Sequence, residues 1–365
     1  MKILRSLAVS IMAVGAFQAP AHADVPVVVS IKPLHSLVSG VMEGVGTPSL
    51  IVQGASSPHT YSLTPSQART LQRAKVIFWA GHELEAFLEK PLSTLGADAK
   101  QIELLKSHGL IMHEMREGGS FEEHAHEHEE GHKHADGHKH EDKHKHADGH
   151  KHEDEHKHED EHKHADGHKH AGEDPDHDKK DKHDHGSHAG HHTDEVDVHV
   201  WLDPVNAKAI VHEVAEALSE YDPQNAAIYE KNEQRINAKL DALLAEVQQI
   251  VAPVRGKGFI VFHDAYQYFE KRFDIEASGS ITINPGVPPS VGRVQDIRNK
   301  INNLGAACVF SEPQFEPKII KTVMEGTPAH SGVLDPLGAS LNDGPNLYFE
   351  LIRNMAKSLR DCLSR

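Results

Sequence analysis

Histidine is the most chemically telling residue of this chain: 33 of its 365 residues are His. Twenty-three of them lie between Glu122 and Thr193, in a tract built from His, Asp, Glu, Lys, Gly and Ala that repeats phrases such as His132-Lys-His-Ala-Asp-Gly-His-Lys-His140. Imidazole nitrogen is a ligand for zinc, copper, nickel and iron. The tract therefore points to a divalent transition metal. It has almost no apolar side chains and cannot build a core. His-x-His pairs such as His132/His134 chelate locally. Each such site must order a flexible chain at about 1–2 kcal/mol per residue, which makes it weak and exchangeable. Acidic neighbours favour imidazolium, so the tract's metal capacity is expected to fall steeply on mild acidification. The tract also holds His-Glu-x-x-His matches, at His128 to His132, His152 to His156 and His158 to His162. A metalloprotease needs that motif on an apolar helix. Repetition in a charged, glycine-punctured segment produces it here, and the protease reading is rejected.

Ten histidines fall outside the tract, and three of them, with one carboxylate, occupy strand ends or ordered loops. His59 lies in Ser57-Pro-His-Thr-Tyr-Ser-Leu-Thr-Pro65, and His199 in Asp197-Val-His-Val-Trp-Leu-Asp-Pro204. His263 closes the apolar run Phe259-Ile-Val-Phe262, and Asp335 ends Val333-Leu-Asp335. Open α/β sheets place ligand sites at such positions. Two of the four come from each half of the chain, so facing halves would bring three nitrogens and one carboxylate together. Zinc takes that donor set in a tetrahedron. Trp201 and Tyr266 are expected to wall the site, and His35, His82 and Glu83 to lie beside it or on the surface.

The elements that must position these residues alternate. Apolar runs at 25–31, 49–52, 76–80, 258–262, 306–310 and 332–334 read as strands. Helical patterns cover 33–43, 65–73, 204–221, 265–272, 293–304, 317–325 and 345–362, and another helix begins at Glu83. Alternating strand and helix predicts an α/β class with parallel sheets flanked by helices. Between the halves, 223–253 carries a helix-period stripe from Ile228 through Ile236, Leu240, Leu243, Leu244 and Val247 to Ile250. That pattern predicts one long stiff helix joining an N-terminal lobe (24–222) to a C-terminal lobe (254–365), with the metal in the cleft between them.

Composition narrows the setting. Lys2 and Arg5 precede the apolar Leu7 to Phe17, and Ala21-His22-Ala23 has the form of a cleavage site. The reading is a signal peptide at 1–23, with Asp24 as the mature N-terminus. No cysteine stands at the cleavage point, which argues against a lipid anchor, so a soluble periplasmic protein is expected. The net charge of −17 is mostly local, since 114–197 holds 27 acidic and 12 basic residues. No basic patch points to nucleic acid and no basic amphipathic helix to a membrane surface. The two cysteines, Cys308 and Cys362, read as a disulfide in an oxidising compartment, with two buried free thiols as the alternative.

Several phrases taken together carry a resemblance. They are Ser57-Pro-His-Thr-Tyr-Ser-Leu-Thr-Pro-Ser66, His199-Val-Trp-Leu-Asp-Pro204, Phe262-His-Asp-Ala-Tyr-Gln-Tyr-Phe-Glu270, Phe310-Ser-Glu-Pro-Gln-Phe315 and Leu334-Asp-Pro-Leu-Gly338. In this order they resemble the metal-binding solute-binding proteins of ABC importers, and in particular the zinc-specific branch. The resemblance implies two α/β lobes joined by a long helix and a monomer that takes Zn²⁺ as its transported ligand. It also implies a membrane permease as partner, with other periplasmic metal chaperones as further candidates. His59, His199 and His263 become the zinc ligands. Pro58 stands where some relatives carry a ligating glutamate, which leaves Asp335 or a water for the fourth position. A histidine at 263, where manganese-binding relatives usually have a carboxylate, favours zinc. The cysteine pair matches a disulfide of the zinc branch. The rival readings are a manganese receptor, a metal-storage protein and a zinc hydrolase using Glu312 or Asp264 as base.

Overall fold

The structure, a computed structural model, describes residues 25–116, 121, 196–282, 285–286, 290–305, 307–315 and 318–365. The expected signal peptide and almost all of the histidine tract lie outside the described residues.

The first half contains β1 (Val27–Val29), β2 (Ser49–Leu50), β3 (Val76–Trp79) and β4 (Lys100–Glu103), with α1 (Lys32–Val41), α2 (Pro65–Arg73) and α3 (Ala86–Thr94). Past the tract come α4 (Pro204–Tyr221) and α5 (Ala226–Val251). The second half contains β5 (Phe259–His263), β6 (Gly279–Thr282), β7 (Cys308–Ser311) and β8 (His330–Val333), with α6 (Gln267–Phe273), α7 (Val291–Leu304), α8 (Lys318–Met324) and α9 (Leu347–Leu363). Both sheets are wholly parallel, in the orders β2-β1-β3-β4 and β6-β5-β7-β8. This is the α/β class expected from the alternation. Each sheet reverses direction between its two central strands, β1/β3 and β5/β7. Those are the points where open α/β sheets leave a crevice at the carboxyl ends.

The central strands are buried on both faces, as helix-covered parallel strands must be. The edge strands β4 and β6 have no counterpart among the expected strands. Lys100-Gln-Ile-Glu103 is mostly polar, and Gly279-Ser-Ile-Thr282 opens on a glycine. Their pairing with β3 and β5 makes them strands, and their own composition does not. The helix expected at Glu83 begins only at Ala86. The buried Glu85 carboxylate accepts hydrogen bonds from the Ala80 N–H (2.7 Å) and the Gly81 N–H (3.4 Å), which holds 80–85 as a turn.

α5 runs for 26 residues, about 39 Å at 1.5 Å per residue. Its buried stripe is Tyr229, Asn232, Ile236, Leu240, Leu243, Val247 and Val251. Ile228, expected on that stripe, is exposed. The stripe packs against α1, α4 and α9, and one apolar cluster runs without a break from Val27–Val29 through α5 to Phe259, Val261 and α9. A Cys308–Cys362 disulfide ties β7 to α9. Among the described residues no helix is long and apolar enough to cross a membrane.

Candidate metal centre

Each of the three histidines reaches the centre from a different element. His59 sits in a single 3-10 turn, Pro58–Thr60, after β2. Neighbours hold that turn in place. Thr64 and Gln67 form a capping box at the start of α2, and Gln67 Nε2 donates to the Ile51 carbonyl (2.6 Å) and the Tyr61 hydroxyl (2.8 Å). His199 precedes the 3-10 turn Val200–Leu202, after which Asp203 caps α4. Arg272 from α6 grips the Asp203 carboxylate with two bonds of 2.7 Å. His263 is the last residue of β5, beside the crevice between β5 and β7.

The three rings converge, with centroids 5.6 Å (His59–His199), 5.7 Å (His59–His263) and 5.3 Å (His199–His263) apart. One donor atom of each lies within 4.8 Å of the others. Two rings are held by carboxylates. His199 Nδ1 lies 2.8 Å from Asp197 Oδ1, and His263 Nδ1 lies 2.6 Å from Glu312 Oε1. A carboxylate accepts only, so each Nδ1 is the donor of its pair. In the neutral rings both Nε2 atoms then carry lone pairs, and they face each other at 3.4 Å. Two lone pairs at that distance repel unless a cation lies between them. The spacing equals the edge of a tetrahedron with metal–nitrogen bonds of about 2.0–2.1 Å.

Electrostatics separates the rings. Burial, then the neighbouring His199 and His263, pushes His59 well below the usual imidazole range. Burial alone would lower His263, but the adjacent Glu312 carboxylate outweighs it and lifts this ring above that range. Glu312 is itself buried, and its second oxygen, Oε2, has no hydrogen-bond partner among the described residues.

The cavity is walled by Pro58, Leu84, Trp201, Phe315 and Leu337. It leaves about 10 Å³ for the centre of a water-sized sphere, room for one ion or one water. Trp201 packs 5.3 Å from His199 and donates its indole N–H to the Pro336 carbonyl (2.9 Å). Tyr266 is 6.3 Å from His263 by ring centroid, behind the wall, with its hydroxyl donating to the Leu334 carbonyl (3.3 Å). Asp335 stands outside the cluster. Its Oδ1 accepts from the Leu337 and Gly338 N–H groups and from Gln314 Nε2, and its Oδ2 from the Ala339 N–H at 2.6 Å. The carboxylate expected near the metal is occupied in folding the 335–339 loop. Asp197 took no role in the sequence reading of the site, and Glu312 only that of a candidate base in the hydrolase reading. One signal for Asp197 was its position two residues before His199, and one for Glu312 its place just past β7 at the sheet crevice.

A family model described as "Zinc-uptake complex component A periplasmic" (ZnuA) matches residues 27–362. This chain belongs to the ZnuA family. High-affinity zinc uptake system protein ZnuA of Brucella suis is 56% identical over 339 residues, covering 93% of this chain and 92% of the relative. The protein of the same name from Paracoccus denitrificans is 40% identical over 353 residues, covering 96% of each chain. Among solved structures, a crystal structure of ZnuA matches with a TM-score of 0.66 at 20% identity, covering 93% of this chain and all of that one. The periplasmic zinc-binding protein TroA of Treponema pallidum matches with a TM-score of 0.66 at 15% identity, covering 94% of this chain and 100% of that one. These two likenesses establish the ZnuA-type fold. The described residues on either side of the tract in this ZnuA-family chain are joined to each other and lead into Asp197, which holds His199. Glu114 and Val196 form an antiparallel bridge, and the Asp197 N–H donates to the His113 carbonyl (2.9 Å). Arg116 forms ion pairs with Asp264 and Glu270.

Proposed function

We propose that this chain is an exported zinc receptor that captures one Zn²⁺ with His59, His199 and His263 and delivers it to the permease of an ABC-type importer in the periplasm. The observation that carries the reading is the facing pair of His199 and His263 Nε2 atoms, 3.4 Å apart, with both Nδ1 atoms committed to carboxylates. Such partners fix the tautomer and raise the basicity of a ligating imidazole. Each step of capture is then carried by this chain's own groups. Asp197 and Glu312 hold two rings with their Nε2 atoms inward, His59 closes the third side, and the apolar wall excludes bulk water. Asp335 or a water remains for the fourth position; in this structure neither Asp335 nor Glu312 belongs to the cluster of donor atoms. The names of the Brucella and Paracoccus relatives support the same cargo.

A cluster with three imidazoles favours zinc over manganese, which prefers oxygen donors. The cavity supports a receptor over a hydrolase. It has no room for an organic substrate beside the ion, and both candidate bases are engaged, Glu312 with His263 and Asp264 with Arg116. The histidine tract acts as a low-affinity collector of metal around this centre. The deciding experiment is metal analysis of His59→Ala, His199→Ala and His263→Ala after dialysis against a chelator. Each variant is expected to lose tight zinc, and retention of stoichiometric zinc by all three would overturn the assignment.

A further inference from the structure

A second group of metal-capable side chains stands where β3 and β4 end. The two strands pair in register through Trp79 and Glu103. Glu103 therefore lies beside the root of the turn that carries His82 and Glu83. One donor atom from each of His82, Glu83 and Glu103 lies within 4.8 Å of the others, and His82 Nδ1 is 3.2 Å from Glu83 Oε2. Gly81 forms the floor. A Cβ at that position would come within 3.0 Å of Glu83 Oε2, 3.2 Å of Glu103 Oε1 and 2.8 Å of the Leu105 side chain. Carboxylate oxygens from two different segments thus converge over a backbone position that has no side chain to separate them.

Two carboxylates brought together repel unless a cation joins them. Lys106 Nζ, 2.8 Å from Glu103 Oε2, answers part of that charge. It touches the oxygen away from Gly81, its side chain is 71% exposed, and an exposed ion pair of this kind is weak and readily exchanged. The remaining donors are one imidazole nitrogen and carboxylate oxygen from both glutamates, a set that zinc accepts. The next residue, Leu84, lines the cavity of the three histidines. One short turn therefore shows the cluster to solvent and an apolar wall to the centre.

We propose that His82, Glu83 and Glu103 form a second, solvent-facing site for divalent zinc, which holds the ion weakly and reversibly on the outer side of the turn that walls the histidine centre. The exposure of His82 and Glu83 makes exchange with solvent fast. The site depends on none of the three histidines of the centre and stands or falls separately from them.

The test uses the full chain with zinc ion alone. Crystals grown with excess zinc should show anomalous scattering at the zinc edge in two places, the histidine centre and the His82/Glu83/Glu103 cluster. In His82→Ala combined with Glu103→Gln, the second peak should vanish and the first remain. In solution, the backbone amide signals of Gly81 and Leu105 should move as zinc is added beyond the first equivalent, and stay fixed in the double variant. Zinc at the histidines with neither a second peak nor a shift of these amides would overturn the proposal, as would a peak that survives the double substitution. Absence of zinc from the histidines alone would count against the receptor reading and leave this site standing.

Discussion

His263 ends β5 and Glu312 directly follows β7, its parallel neighbour, and their side chains meet 2.6 Å apart at the crevice where the strand order changes direction. The carboxylate accepts the hydrogen bond of Nδ1–H and leaves Nε2 to face His199. Orientation of a candidate metal-binding ring is here a property of strand order. Asp197 does the same for His199 by a local route, through a bond of 2.8 Å two residues along the chain.

Glu312→Gln and Asp197→Asn keep the shape of each side chain and remove its charge. Loss of such a partner typically costs about 10–100-fold in metal affinity. Competition with a chelator of known affinity should show that loss in each variant, with the zinc stoichiometry of the centre unchanged. Affinity equal to that of the natural chain in both would remove these carboxylates from the mechanism.

Excision of 122–193 leaves the Glu114–Val196 bridge and the Arg116 ion pairs in place. Total zinc bound per chain should fall, and the tight site should keep its affinity. Unchanged total stoichiometry in equilibrium dialysis would refute the collector role of the tract.

Glu85 gives the fold a pH signature. Burial raises its carboxyl from 4.5 to about 7, against the hydrogen bonds from Ala80 and Gly81 that favour the charged form. The folded state then holds its proton more tightly than the unfolded chain. Stability should be highest below pH 4.5, as far as this group is concerned, fall as pH rises from 4.5 to 7, and level off above. The span is about 3 kcal/mol at most. Glu85→Gln should flatten this part of the profile in urea denaturation measured at several pH values.

The Cys308–Cys362 bridge closes a loop with a sequence separation of 54. Its removal in a double Cys→Ala variant should cost roughly 2–4 kcal/mol and lower the melting temperature by several degrees. Zinc affinity measured below the transition should hardly change, since neither cysteine lines the cavity.

The legible parts of the fold were those whose own residues decide the outcome. β3 and β5 are continuous apolar runs, and the α5 stripe at Ile236, Leu240, Leu243 and Val247 repeats with the helix. β4 and β6 escaped because an edge strand takes its conformation from its neighbour. The three histidines could be picked out as donors at strand and loop ends, but their convergence came from a resemblance, since sequence spacing does not encode which ends meet. Asp335 was a sound candidate by type and place. In this structure its oxygens accept from the Leu337, Gly338 and Ala339 amides and stand outside the cluster of imidazole donors, a placement that type and sequence position do not show.

The smallness of the cavity among the histidines has a kinetic meaning. An ion wrapped in its water shell is too large to enter, so the nitrogens must replace those waters one after another as the ion arrives. Magnesium gives up water reluctantly and prefers oxygen around it. On the reading proposed above, such a cavity would turn it away at the threshold and admit an ion that trades water for nitrogen readily, so that selection would begin at the moment of undressing.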